Sequence, residues 1–466
     1  MTRAGADPQP QADCTGSDAG AFGVFFRPDP AAWRLAQGSS TRDENIARFR
    51  SELGFPIDRP IVMSGHQAQV WHPGILAKLL ALRAFAQRSG ACGVWLVVDH
   101  DDHDPFTVRA PIIGADGRLA VVTFGPPPGA EGVPVCRRGA WNPGEAWRLP
   151  AGARAAAPGV EAGTQRIHAA LARHAAAENA GEQSARAAWD LRPDGAGEGV
   201  VVIHATALAR TTLFGELVER MQRDPAACIA AHNAAVREFP HERIAPLGDG
   251  ELPLWSIGAA MDSVRHRVSA NDLASPKGRS PNGAILAPRA LLLTGLMRLA
   301  GCDLFIHGLG GERYDRITER WLGAWLSRTL APTVMATATV RLRVPGCWPS
   351  PEEIARAAWT THRARHDPGA IGDEARAARK RELLESIGAA PPRSPERATL
   401  FDQLHDLLRE SERANAAALA ELDARAAAMR ARAGEAAIAA DRTWAFPLYE
   451  PDQLAALQRE IESRFA

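Results

Sequence analysis

Val94–Asp104 reads V-W-L-V-V-D-H-D-D-H-D, five apolar residues followed without a break by six ionisable ones. A run with three valines and no polar alternation suits a strand covered on both faces, so 94–98 is expected inside a parallel α/β sheet. In such sheets ligands collect beyond the carboxyl ends of the strands. Four aspartates and two histidines delivered there can exchange protons or hold a hydrated cation. The same residues would also serve as a solvated turn with helix caps.

Upstream, R-P-I-V-M-S-G-H at 59–66 reads as a second short buried strand. A helix then begins near Pro73, a good first-turn residue, with Ile75, Leu76, Leu79, Leu80, Leu82 and Phe85 at helical spacing. Pro60–Asp99 is thus one βαβ unit with parallel strands and a right-handed crossover. Downstream, 107–124 reads as a hairpin turning at Asp116-Gly117, and 125–151 as a Pro- and Gly-rich linker. An amphipathic helix over about 160–190 precedes a strand V-V-V-I-H at 200–204. Pro288–Ala300 is expected to be helical, and C-D-L-F-I-H at 302–307 is a strand that again ends in His. G-L-G-G-E-R-Y-D at 308–315 reads as a loop opening a helix to about Leu330, with a late strand at 333–344. This arrangement sets His66, Asp99, His204 and His307 along one sheet edge.

With 466 residues the chain exceeds the size of a single core. The expected organisation is a disordered 1–21 and a Rossmann-like α/β core over 22–345, with an insertion at about 107–195. A helical connection at 346–395, a coiled coil at 396–440 and a segment at 441–466 returning to the core complete it. The coiled coil rests on Leu400, Leu404, Leu407 and Leu408, then Ala418, Leu419, Leu422 and Met429, flanked by Arg and Glu. Pairing two such stripes predicts a homodimer, with packing against 370–390 of the same chain as the rival.

Lys plus Arg and Asp plus Glu balance at 54 each, which argues against nucleic acid or an anionic membrane surface and for a small-molecule substrate. The six cysteines form no C-x-x-C pair and read as reduced core thiols. No run approaches the roughly 20 apolar residues of a membrane span, and the first residues lack a secretory pattern, so a cytoplasmic address is expected.

Four constellations share the predicted edge. In S-G-H-Q-A-Q-V-W-H-P-G, 64–74, Gly65 permits close backbone approach and Gln67 follows His66. His66 and His72 stand at a helix N-terminus that attracts anions, in the manner of the phosphate-contacting histidines of class I nucleotidyltransferase-like domains, or His72 simply caps the helix. The second constellation is Asp99–Asp104. The third is N-D-L-A-S-P-K-G-R-S-P-N-G, 271–283, which offers Lys277, Arg279 and Asn282 to an anionic group. The fourth is the 308–315 loop, where Gly310 and Gly311 could expose N–H groups and Glu312 could bind an amine or act as base. No P-loop, dinucleotide or nucleophile-elbow glycine pattern is present. His100 and His103 lie three apart without a third ligand at metal spacing, so no metal site is assigned.

Taken in order, Gly65-His66-Gln67 before a long helix, Asp102-His103-Asp104 after a buried strand, Ser280-Pro281-Asn282 ahead of Pro288-Arg289, and Gly310-Gly311-Glu312 resemble one pattern. It is that of the bacillithiol biosynthesis cysteine-adding enzymes, the BshC family, over most of 60–440. Three departures stand out: His66 replaces a usual Gln, Asp101 a usual Glu, and Trp71 fills a place that relatives keep small. The resemblance implies a ligase joining cysteine to the amine of glucosaminyl malate, or a divergent relative with another amine substrate. It also implies nucleotide activation and a coiled-coil dimer; the cofactor itself is left open, with ATP and magnesium as one candidate. On this reading Asp102, His103 and Asp104 orient the amine or accept its proton, and His66 and His72 contact the activated acyl group or phosphate. Lys277 and Arg289 hold anions, with Gly65, Gln67, Asp99, Asn282, Gly310, Gly311 and Glu312 completing the site. Two other classes fit the same residues: a nucleotidyltransferase that stops at an adenylate, and a non-catalytic metabolite-binding scaffold.

Overall fold

The computed structural model describes residues 22–36, 43–274, 284–346 and 348–466. The expected disorder of 1–21 and the contributions of Lys277, Arg279 and Asn282 fall outside these residues. The described residues hold twelve strands: β1 (Phe22–Arg27), β2 (Ile61–Gln67), β3 (Cys92–Val98), β4 (Val108–Ile113), β5 (Leu119–Phe124), β6 (Arg154–Ala155), β7 (Val200–His204), β8 (Glu251–Ile257), β9 (Arg265–Ser269), β10 (Ile285–Pro288), β11 (Leu304–His307) and β12 (Thr333–Val340).

Six of them form the main sheet in the order β1-β12-β11-β2-β3-β7, parallel throughout except for β1. Both faces of β2 and β3 are buried, as the unalternating apolar runs require. One face carries Ile61, Met63, Val94 and Leu96 into a core with Leu217, Leu292 and Trp321. The other packs under the Pro73–Ser89 helix, where Trp71 and Trp95 lie 4.8 Å apart. Taken in chain order, the five parallel strands are arranged 3-2-1-4-5, so the chain reverses direction across the sheet between β2 and β11. That reversal positions the site.

The βαβ unit forms where the sequence predicts it. The Pro73–Ser89 helix starts at Pro73 with His72 as its cap and stops at Gly90, whose φ of +68° lies in the left-handed region that favours glycine. Elsewhere the sequence reading needs correction. The 160–190 helix is two, Pro158–Arg173 and Ala180–Leu191, and the 308–315 loop is already helical, because the Leu309–Leu326 helix begins directly after Gly308. Periodicity did not reveal β1 or the β10-β8-β9 sheet. Cys92, Cys136, Cys228 and Cys302 are free and buried, as core thiols should be.

The described chain divides into two compact units. One comprises the α/β core within Ser17–Gly117, Val121–Arg343 and Arg442–Ala466. The other is helical, Val344–Asp441 with Arg118–Ala120. In it the anticipated long helix is broken into Pro395–Ala414, Ala416–Ala431 and Ala433–Ala440. The break at Asn415 follows from its side chain, which donates to Asp373 Oδ2 at 2.9 Å and back to the Ser411 carbonyl at 3.0 Å. Leu404 packs with Leu383 and Ile387 of the Glu374–Ala389 helix, with Leu400, Leu407 and Leu408 alongside. This is the in-chain arrangement weighed against the dimer. Among the described residues no helix is long and apolar enough to cross a membrane.

Candidate functional site

Where the strand order reverses, the connections after β2 and β11 leave in opposite directions and open a crevice between them. A cavity of about 580 Å³ lies there, lined by the ends of β2 and β11 and by residues just past β3. Gly65 is required because a Cβ at that position would sit 2.3 Å from the Leu96 carbonyl oxygen. Its role is to let β2 and β3 approach, rather than to admit a ligand to the backbone.

His66 follows, and burial, together with the neighbouring Lys78, His72 and His103, pushes its pKa well below the ordinary value. The ring is therefore neutral at pH 7, and its buried Nδ1 has no hydrogen-bond partner. Gln67 turns to Asp101, donating from Nε2 to Oδ2 at 2.8 Å. Arg265, arriving on β9, donates to Asp101 Oδ1 at 2.6 Å and to Asp102 Oδ1 at 2.5 Å while stacking on Trp255. Burial alone would raise the Asp101 pKa, but these two donors and the Arg265 charge outweigh it, and the carboxylate stays ionised. His100, nearly fully buried beside it, is held below its ordinary pKa by desolvation, against the pull of Asp99 and Asp101, and its Nδ1 is also without a partner.

The acidic run after β3 is thus divided. His100 and Asp101 line the cavity. Asp102, His103 and Asp104 do not. Asp102 is held by Arg265, His103 Nε2 lies 3.0 Å from the Ala68 carbonyl, and Asp104 accepts from the Phe106 and Thr107 amides at 3.0 and 3.1 Å. Those contacts tie down the loop, the local turn chemistry of an Asx motif. Asp99 goes elsewhere again: it accepts from the Thr206 amide and hydroxyl at 3.0 and 2.6 Å, pairs with His204 Nδ1 at 3.4 Å, and opens on a separate cavity of about 290 Å³. The carboxylate beside His204 raises the histidine's pKa in spite of burial. The four residues expected on one edge do lie at the carboxyl ends of their strands, but they serve two cavities.

The remaining expectations separate in the same way. His72 faces the cavity and caps the Pro73–Ser89 helix, its Nδ1 accepting from the Gly74 amide at 3.1 Å. Arg289 lines the cavity, stacked on Trp255 and paired with Glu251. Gly310 and Gly311 line it from the first turn of a helix whose N-terminus has no side-chain cap. Glu312 is outside it, paired with Arg27 at 3.2 Å.

Several cavity residues escaped the sequence reading. Lys78 is 5 % exposed, donates to the Gly65 carbonyl, and lies 5.5 Å from the centre of the Trp95 ring. No carboxylate among the described residues pairs with it, and burial lowers its pKa from 10.5 to about 7. A signal was present, since Lys78 is the one charge in I-L-A-K-L-L-A-L, 75–82, and lysine is rarely buried in such a helix without cause. His307 was noted only as a strand end. Its Nε2 lies 3.0 Å from Asp315 Oδ2, and Asp315 is in turn bound by Arg298. Arg442 reaches the cavity from the C-terminal segment and donates to Thr339 Oγ1 at 3.1 Å. Arg265 and Arg442 carry no local signal, because they join the site through tertiary structure alone.

Gly311 allows a direct test of this packing. A Cβ there would stand 2.3 Å from His307 Nδ1, so Gly311→Ala must displace the imidazole from its place in the cavity wall. The expected result is a loss of about 1–3 kcal/mol in urea denaturation and a shifted His307 ring resonance. An unchanged resonance would show that the ring is not confined there.

No protein-family model matches the chain, and no curated protein matches it either. Among the described residues no group of three His, Cys, Asp or Glu is placed to hold a metal ion.

Proposed function

We propose that the protein is a small-molecule enzyme with a Rossmann-like core, an amide-forming ligase that joins an activated acyl group to an amine in the cavity between β2 and β11. The observation that carries this reading is the pairing of neutral bases with fixed cations around one cavity. His66 and His100 have partnerless ring nitrogens, Arg289 and Arg442 stand by as cations, and Asp101 is the lining carboxylate. An amine enters water-bound as its ammonium and must lose a proton before it attacks, which a neutral imidazole can accept. The oxyanion formed on the acyl carbon needs donors already in place, and the arginines and the uncapped first turn at Gly310-Gly311 supply them. Asp101, held between Gln67 and Arg265, is suited to orient the ammonium.

The resemblance to the cysteine-adding enzymes of bacillithiol biosynthesis supplies the substrates of this proposal: cysteine and glucosaminyl malate, or another amine in a divergent relative. ATP with magnesium would supply the activation; both oxygens of Asp101 are already bound by Gln67 and Arg265, so the metal would rest chiefly on the substrate phosphates. A homodimer through the C-terminal helices belongs to the same proposal; with Leu404 packed inside the chain, Trp359, Leu384 and Phe401 remain as exposed apolar contacts there.

The test is to incubate the protein with cysteine, glucosaminyl malate and ATP with magnesium, and to follow the amide by mass spectrometry. The wild type should form it. Asp101→Asn and His66→Gln should each reduce turnover at least tenfold, about 1.4 kcal/mol, while Asp104→Asn leaves it unchanged. Turnover that depends on Asp104 and not on Asp101 would reject this assignment of the cavity. A second reading, the adenylate-forming nucleotidyltransferase, is favoured by His66 and His72 facing the cavity from either side of the turn before the helix. In the same assay it gives adenylate and pyrophosphate without amide.

A further inference from the structure

Lys78 has no part in the reaction just described, yet it is a buried amine at the wall of the same cavity. It is the one charge in the apolar stretch 75–82, its amine is held by a single carbonyl acceptor, that of Gly65, and the ring of Trp95 closes one side. A buried lysine kept for stability would be paired with a carboxylate, and no such partner is found among the described residues. The amine stands instead at the cavity wall, in the company of His66, His72, His100, His307, Arg289 and Arg442, with Asp101 as the one lining acid. Asp101 is already committed to Gln67 and Arg265.

We propose that the Lys78 amine anchors an oxyanion subsite in this cavity, binding the phosphoryl or carboxylate group of the substrate and taking up a proton as that group enters. The inference rests on the ligase reading for its location and names the anionic part of the substrate. In the empty cavity burial favours the free amine, with a pKa of about 7. An oxyanion brought within hydrogen-bond distance reverses that balance: the amine takes one proton from solvent and becomes an ammonium donating to the anion, with no bond broken elsewhere. Burial likewise holds His66 in its neutral form. One lysine therefore serves two states. Uncharged, it lets the site exist without a buried ion pair; charged, it gives the anion a partner in a medium of low dielectric.

The experiment is calorimetric titration of the full-length protein near pH 8 in two buffers of different ionisation enthalpy. Sulfate is the tetrahedral probe and succinate the carboxylate probe, neither of which titrates at that pH. The expected result is binding of at least one probe with uptake of nearly one proton per site. The arm that responds tells phosphoryl from carboxylate recognition. Lys78→Met, which keeps the length of the side chain, should weaken binding at least tenfold and abolish the proton uptake, whereas Asp104→Asn, outside the cavity, should retain both. A heat of binding independent of buffer, the same uptake in Lys78→Met, or binding of neither anion would overturn the proposal. Failure of the ligase assay with anion-linked proton uptake intact would reject the reaction and leave the subsite standing.

Discussion

Lys78→Met is expected to make the protein more stable, by about 3 kcal/mol at pH 7, although it removes a hydrogen bond. In the unfolded chain the amine has its ordinary pKa of 10.5, and in the fold it has one of about 7. Below pH 7 it is protonated in both states, so the fold carries the full burden of a buried ammonium, roughly 5 kcal/mol at the ceiling. Between pH 7 and 10.5 the unfolded state binds the proton and the folded state does not. Stability then rises with pH by about 1.4 kcal/mol per unit, and the burden vanishes only above the unfolded pKa. Methionine has no such dependence. Losing the hydrogen bond to the Gly65 carbonyl offsets about 1 kcal/mol of the gain. Urea denaturation of the two proteins at pH 7 and pH 9 should therefore show the variant ahead, with the gap narrowing by roughly 2–3 kcal/mol. A variant less stable than the wild type at pH 7, or a gap that ignores pH, would mean that Lys78 is a structural residue.

Arg298→Met should have the opposite sign and a comparable size. The guanidinium is 1 % exposed and donates to Asp315 Oδ2 at 2.6 Å and to the Ala331 carbonyl at 2.7 Å, with a third contact to Glu319. Asp315 is equally buried, and its Oδ1 is already without a partner. Without Arg298 the carboxylate keeps only His307. Breaking a buried pair by removing one member typically costs about 3–5 kcal/mol, and denaturation should show that loss. The double variant Arg298→Met, Asp315→Asn should recover more than half of it, because the uncompensated charge has gone. A single-variant loss under about 1 kcal/mol would show that the network does not hold the β11 end of the cavity.

Both residues bear on what was legible beforehand. The apolar helix that carries Lys78 was read from its spacing, but the lysine was passed over because periodicity scores the face of a helix and not the one residue that contradicts it. Arg298 lies in a stretch correctly expected to be helical, yet nothing near it announces Asp315, which sits beyond the next strand. The 308–315 segment misled in a different manner. Its glycines suggest a loop, but Gly311 is small because His307 fills the space beside it, and the backbone there is helical.

Local patterning determined the parallel core itself. Unalternating runs at 61–63 and 94–97 have to be covered on both faces, and strands of that kind end with their polar residues at the carboxyl edge, where His66, Asp99, His204 and His307 are found. Only the tertiary structure decided which of those residues share a site. The reversal between β2 and β11 depends on pairing strands about 240 residues apart, as the bond from Ser64 Oγ to the Ile306 carbonyl across 242 positions illustrates. Arg265, 164 positions from Asp101, holds both Asp101 and Asp102, Gln67 reaches Asp101 alone, and Asp99 is taken by Thr206 and His204 from the far side of β3. The four aspartates of this run are chemically alike in the sequence. Asp104 is taken by the local amides of Phe106 and Thr107, but the separation of Asp99 from Asp101 into two cavities follows from which distant donor reaches each one, and no local propensity encodes that.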